Sequence, residues 1–417
     1  MTDSFPETGI RRLFSRIGPG LVVACVCIGP GSILTSSNVG ATSGYSKLWV
    51  VAGAVAFMMA YTILAMKLGV VTQRSACSVI AEQGGRGLSL LLGLFVFFIA
   101  AAYQFGNNLG VHSAINDYYP SRYWVVLFNG LALLFLFGFR NLYRVLETVM
   151  TVFVGLMLLA FAINLCFARP DPVAIVSGLN PLGSATDLGL PLMGLVGTTL
   201  VMSNAFYQSY LVRFRGWSEK DLSKGMFDSC VGSVVIALIT MMILCTAAAV
   251  FHGAEGEIQL KTVADVGRQL EPFFGTTGRV VFSVGLFSAA FSSFVVNSMV
   301  GGFVLSDALQ LGSDPAQRAP RLATAFVLLT GMGVALWMIL SEAGQPVGLI
   351  VAAQVATVVA APLIAAVLLW LTNKPSVMGA HCNGIVLNLF AGVGLIVLLL
   401  MSANIIVNQV LPRLGWL

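Results

Sequence analysis

The segment that decides the fold is IGPGSILTSS, residues 28–37. It lies inside an apolar run that spans roughly 17–42, with no charged residue between Arg16 and Lys47. Gly29, Pro30 and Gly31 follow one another where a helix would otherwise continue. Proline removes a backbone N–H and collides with the preceding turn, and glycine gives up helix propensity, so the helix is expected to break here. The run is nevertheless long enough to cross a bilayer. Irregular backbone at that depth is tolerated only where it is buried in protein or lines a cavity. The stretch therefore points to a partner element elsewhere in the chain.

The rest of the sequence supports a membrane setting. The 417 residues are 58% hydrophobic and 9% charged, with a mean hydropathy of +0.91. Ordinary globular domains are about 25% charged, so the chain reads as an integral membrane protein. Apolar runs mark eleven spans, at 17–42, 48–72, 88–113, 122–140, 145–168, 190–212, 225–251, 277–305, 321–341, 347–371 and 384–411. Residues 1–16 form a polar N-terminal tail. Arg11 and Arg12 precede the first span, and no cleavable signal peptide is expected. The longest loop, 252–276, holds Glu255, Glu257, Lys261 and Asp265 and is expected to carry a short helix. Lys and Arg divide between alternate loops about two to one in favour of a cytoplasmic N-terminus, which with eleven spans puts the C-terminus outside. The seven cysteines show no metal spacing and read as small packing residues. The basic residues are scattered through loops, so the net charge of +5 does not point to a nucleic-acid partner.

A second weak spot falls in span six, GTTLVMSNAFYQS, residues 197–209. Spans one and six are an odd number of spans apart, so the two halves have opposite topology. Paired interruptions at matching places of inverted halves point to a substrate site near the bilayer midplane. The plainer alternative is a Gly-Pro kink in span one and a polar helix contact in span six.

The segment GPGLVVACVCIGPGSILTSSNVGATSGYSKLWV (18–50), with MKLGVVT (66–72), Asp228 through AAAVFHG (247–253), GLFSAAFSS (285–293) and QVATVVAAPLIAAVLLWLTNKPSVMG (354–379), resembles the NRAMP family of metal-ion transporters. The resemblance covers residues 15–411. It implies an all-α LeuT-like fold, with a first inverted repeat over 17–168, a second over 190–371 and an appended eleventh helix over 384–411. It also implies helices 1 and 6 unwound at the centre, and a plasma (inner) membrane location in a prokaryote.

The family's functional residues are replaced. Its Asp-Pro-Gly-Asn at the first break reads Gly29, Pro30, Gly31 and Ser32 here. Its Met-Pro-His in helix 6 aligns with Val201, Met202 and Ser203; a shift by one would restore Met202 as the thioether. The acidic residues of its proton route align with Gln104 and Asn107, while Gln354 matches a family glutamine in helix 10. Of the 17 acids only Glu147 and Asp228 read as buried, and both are expected in a cytoplasm-side structural ion pair or cap, Glu147 near Arg144 and Asp228 near Lys224. A site without carboxylate, imidazole or assured thioether is a poor one for manganese or iron. No residue is assigned to a resident metal.

Helix breaks leave free N–H groups with partial positive charge, which bind anions. Gly31 and Ser32 are expected to open one half-helix, and Ser203 and Asn204 the other. Gly29 in place of aspartate is expected to remove repulsion and leave room. The hydroxyls of Ser32, Thr198 and Ser203 and the amides of Asn204 and Gln354 add donors, with Val201 lining the same site. This reading gives a secondary transporter of a small oxyanion such as bicarbonate, working by alternating access, and not an enzyme. A hydrated magnesium transporter stands as the alternative, and a non-transporting membrane sensor stands behind it. Ser292 and Ser293 in span eight are candidates to hold a coupling sodium ion against carbonyls of span one, or else to pack helices. The TGMG stretch (330–333) is expected to allow close helix packing. Beyond sodium no cofactor is called for, and no P-loop or obligate protein partner is evident.

Overall fold

The computed structural model describes residues 18–139, 141–181, 190–253, 260, 262–341, 347–410 and 412. Among these residues no strand occurs. In chain order the α-helices are α1 (Pro19–Cys27), α2 (Pro30–Ser43), α3 (Leu48–Thr72), α4 (Ala76–Gly84), α5 (Arg86–Asn116), α6 (Trp124–Gly138), α7 (Leu142–Ala168), α8 (Pro172–Gly178), α9 (Leu190–Thr199) and α10 (Met202–Phe214). They continue with α11 (Leu222–Phe251), α12 (Val263–Ala308), α13 (Arg318–Leu340), α14 (Val347–Thr372), α15 (Pro375–Met378) and α16 (Ile385–Ile405). A helix, or two helices meeting at a break, occupies each of the eleven apolar segments.

Among the described residues, seven helices are each long and apolar enough to cross a bilayer. The helix α3 covers 48–72, the bounds its apolar run predicts, and stops at Gln73, whose φ of 53° ends the helical turn. Two pairs are bent. Across Ile28 and Gly29, α1 meets α2 at 61°, and the end of α14 meets the short helix beginning at Pro375 at 68°. The 46-residue α12 is two helices joined at Gly275, whose φ of 66° and ψ of −174° suit glycine alone. Its first part is the short helix expected in the 252–276 loop, opened by a reciprocal Thr262–Asp265 capping box. Glu255, Glu257 and Lys261 lie outside the described residues.

Burial grades from the centre outward. Two-thirds of an apolar 18-residue stretch is buried in each of α3, α11 and α12, against 22% in α16. The outer helix shows Ile385 at 87% and Leu400 at 66% exposure, a face suited to lipid. Without a hydrophobic force between helices in lipid, close approach depends on small residues. A side chain on Gly20 would run into the Asp228 backbone, and one on Gly232 into the carbonyl of Gly20. Gly331 of the TGMG stretch sits against the Gln104 side chain, the close packing that its composition suggests. Gly110 sits in the same way against the Pro30 ring, so α5 is pressed onto the break in the first span.

Candidate functional site

Pro30 is the first residue of α2, with Gly29 as its extended N-cap and no side chain capping it. The first backbone bond runs from the Ile33 N–H to the Gly29 carbonyl at 3.1 Å. This leaves the N–H groups of Gly31 and Ser32 without an acceptor in their own helix. In the sixth span, α9 ends at Thr199 and α10 starts at Met202, with Val201 (φ −87°, ψ 94°) as an uncapped N-cap. Asn204 and Ala205 donate to the Val201 carbonyl, so the Met202 and Ser203 N–H groups are the open ones. The second half-helix thus opens at Met202 and not at Ser203. Backbone position sets the break here, because neither Leu200 nor Val201 is a helix breaker by type.

The two breaks touch. The Asn204 Nδ2 lies 3.6 Å from the Cys27 Sγ, at the end of α1, and Thr35 of α2 packs beside Gly194 of α9. Ser32, Ser203 and Asn204 are all buried, and the Asn204 Oδ1 has no hydrogen-bond partner. Thr198 is less available than expected, because its hydroxyl donates to the Gly194 carbonyl at 2.9 Å within its own helix. Val201 is 8% and Met202 1% exposed, so both belong to the core around the break. Gln354 falls within α14, but its side chain lies outside the described residues.

The space beside Gly29 is not the room anticipated. A β-carbon there would lie 3.0 Å from the Ser293 Oγ and 3.3 Å from the Asn107 Oδ1. The place toward which the family's aspartate would project is filled by a neutral hydroxyl and a neutral amide. Open space appears instead at Gly31, which is exposed and has nothing within 4 Å of its β-carbon position. The serine pair also divides. Ser293 donates to the Val26 carbonyl of α1 at 3.2 Å, whereas Ser292 donates to Ala289 in its own helix. Gln104 is a structural clamp. Its Nε2 donates to the Phe294 carbonyl at 2.9 Å, and its Oε1 accepts from the Asn297 Nδ2 at 2.9 Å.

Carboxylates lie elsewhere. Glu147 pairs with Arg215, not with Arg144, because the start of α7 faces the end of α10. Asp228 does not pair with Lys224, which binds Asp221 at 2.8 Å. It turns inward, accepts the N–H groups of Gly18 and Gly20 at 2.7 Å each, and receives the Gln208 Nε2 at 3.3 Å. Glu147 is only half-buried, contrary to expectation, and the second buried acid is Asp307, missed when span eight is ended at 305. It accepts the Tyr210 hydroxyl at 2.6 Å, the Ser75 hydroxyl at 2.7 Å and the Cys77 N–H at 3.1 Å, at the start of α4. Its signal in the sequence is an aspartate in the last turn of a helix, where the dipole disfavours it. Among the described residues no group of three or more His, Cys, Asp or Glu is placed to hold a metal ion, and all seven cysteines are free.

The family model described as natural resistance-associated macrophage protein-like matches residues 20–408. The divalent metal cation transporter MntH of Deinococcus radiodurans is 25% identical over 382 residues, covering 89% of this chain and 85% of its own length. The protein of the same name from Verminephrobacter eiseniae is 26% identical over 418 residues, covering 96% and 90%. Among solved structures, the Eremococcus coleocola manganese transporter bound to an aromatic bis-isothiourea compound aligns over 100% of this chain and 90% of its own, with a TM-score of 0.82 at 19% identity. MhsT in complex with L-phenylalanine aligns over 92% and 98% at a TM-score of 0.59 and 15% identity. At those identities the structures speak for the fold, which is LeuT-like.

Proposed function

This chain belongs to the natural resistance-associated macrophage protein-like family, and from that premise we propose that it is a secondary transporter of a small inorganic oxyanion, with bicarbonate matching the site in size and charge. The relatives are named for divalent metal cations, but their named cargo fits these residues poorly. One observation carries the reading: the space beside Gly29 holds Ser293 and Asn107, and among the described residues the buried carboxylates, Asp228 and Asp307, bind elsewhere. A bare divalent ion placed there would lose its hydration without a compensating charge. The N–H groups of Gly31, Ser32, Met202 and Ser203 face the opposite demand, for an acceptor bearing negative charge.

Alternating access then follows from the breaks themselves, since α1 and α2 are already separate rods joined across Ile28 and Gly29. Coupling to sodium belongs to the same proposal, at Ser293 and the Val26 carbonyl, with Ser292 beside the Cys25 thiol of α1. So do a bacterial plasma-membrane location and a cytoplasmic N-terminus.

The test is uptake of labelled bicarbonate, manganese and magnesium into proteoliposomes, each with and without a sodium gradient. We expect bicarbonate uptake well above empty vesicles, accelerated by sodium, and no manganese uptake. Manganese uptake without bicarbonate uptake would return the chain to the cargo of its named relatives. Magnesium uptake alone would favour a hydrated cation held by neutral oxygens.

A further inference from the structure

Three amides occupy one stretch of α5, and they are treated differently. Gln104 is satisfied by Phe294 and Asn297. Asn108 donates to the Gln104 carbonyl at 2.9 Å and accepts from the Asn129 Nδ2 at 2.6 Å. Asn107, only 5% exposed, has an Nδ2 with no partner. It lies three residues before Gly110, so it is on the turn of α5 that presses against Pro30. Its Oδ1 is 3.3 Å from the β-carbon position of Gly29.

A buried amide left without a partner costs about 1–3 kcal/mol. The neighbouring amides show that this helix has acceptors to offer, and the open one is the amide beside the break. A turn of the amide plane about χ2 presents its NH2 toward Gly29, and Nδ2 gives up no hydrogen bond in that turn.

We propose that Asn107 is a substrate-contact and specificity residue, whose amide donates to the transported oxyanion beside the Gly31 and Ser32 N–H groups and whose neutrality keeps divalent cations out. Its alignment with a proton-route acid would give it no such part. The proposal rests on the anion reading of this site and names one more of its donors. It also accounts for Gly29: a larger residue there would separate the amide from the break.

The test uses the full-length protein in proteoliposomes, with labelled bicarbonate uptake and manganese binding by calorimetry. Asn107→Asp keeps the shape and adds a charge. We expect bicarbonate uptake to fall at least about tenfold, because like charges at close range repel strongly, and manganese binding to appear where the wild type has none. Asn107→Ser is expected to raise KM about three- to tenfold, the loss of a single donor, with maximal uptake little changed. Bicarbonate uptake by Asn107→Asp at the wild-type rate and KM would overturn the proposal while leaving the anion reading intact. If Asn107→Asp does not fold, a wild-type KM in Asn107→Ser overturns it equally. Absence of bicarbonate uptake by the wild type would overturn the anion reading and this proposal together.

Discussion

At its start α1 hands the N–H groups of Gly18 and Gly20 to the Asp228 carboxylate, at 2.7 Å each. Later in the same span α2 starts at Pro30, where its N-cap Gly29 has no side chain to receive the N–H groups of Gly31 and Ser32. The pattern repeats outside the first span. The start of α4 hands the Cys77 N–H to Asp307, while the start of α10 at Met202 is uncapped. All four helix starts carry the same excess of donors. Two are closed by resident carboxylates, and the two at the breaks, which have no cap from their own N-cap residues, are the ones the proposed function assigns to a ligand. The difference teaches that the missing charge at Gly29 is local, because this chain keeps buried carboxylates where a helix end must stay fixed.

Removing a resident cap should have the largest effect. Asp228→Ala orphans two N–H groups at Gly18 and Gly20 and frees the Gln208 amide, at a cost of about 3 kcal/mol. The thermal midpoint of the purified protein should fall by several degrees, with uptake falling alongside because α1 loses its anchor. Asp228→Asn keeps one acceptor oxygen and should cost about half as much. An unchanged midpoint in both variants would break the comparison, since the start of α1 would then need no cap.

Supplying a resident cap at an open start comes next. Ser32 is the third residue of α2, where a carboxylate interacts well with free N–H groups. Ser32→Asp should therefore leave stability within about 1 kcal/mol of the wild type, while bicarbonate uptake falls about tenfold or more through repulsion. Intact stability with lost transport would mark a site whose charge is meant to come from solution. Intact transport would show that the anion does not use this helix start.

How much of this was legible in the sequence depended on how local the cause is. The first break could be read from Gly29-Pro30-Gly31 because steric rules act within one turn. The bounds of α3 matched its apolar run for the same reason. The second break was visible only as a polar patch, and its place at Leu200 and Val201 was missed because those residues break no helix by themselves. Side-chain pairing was read worst. Arg144 and Lys224 were plausible partners by proximity in the chain, yet Glu147 meets Arg215, and Asp228 meets Gly18 and Gly20, 210 and 208 positions away. For Asn107 the sequence offers only its alignment with a proton-route acid of the family. Its open Nδ2 and its closeness to Gly29 exist only once α5 is packed on the first span.

The smallest effect is expected where one donor of several is removed from a closed start. Asp307 holds Tyr210, Ser75 and Cys77 together, and Tyr210 is fully buried. Tyr210→Phe keeps the ring and its stacking on Tyr207 and removes only the hydroxyl. The carboxylate retains the Ser75, Ser78 and Cys77 donors, so the loss should be about 1 kcal/mol, read as a small drop in thermal midpoint. Uptake should stay within about twofold of the wild type, because this start carries no ligand and α10 keeps its open N–H groups at Met202 and Ser203. A tenfold loss of uptake with an unchanged midpoint would reverse the assignment. It would place Asp307 and Tyr210 in the transport cycle, and the contrast between resident caps and open starts would then separate two parts of one moving mechanism.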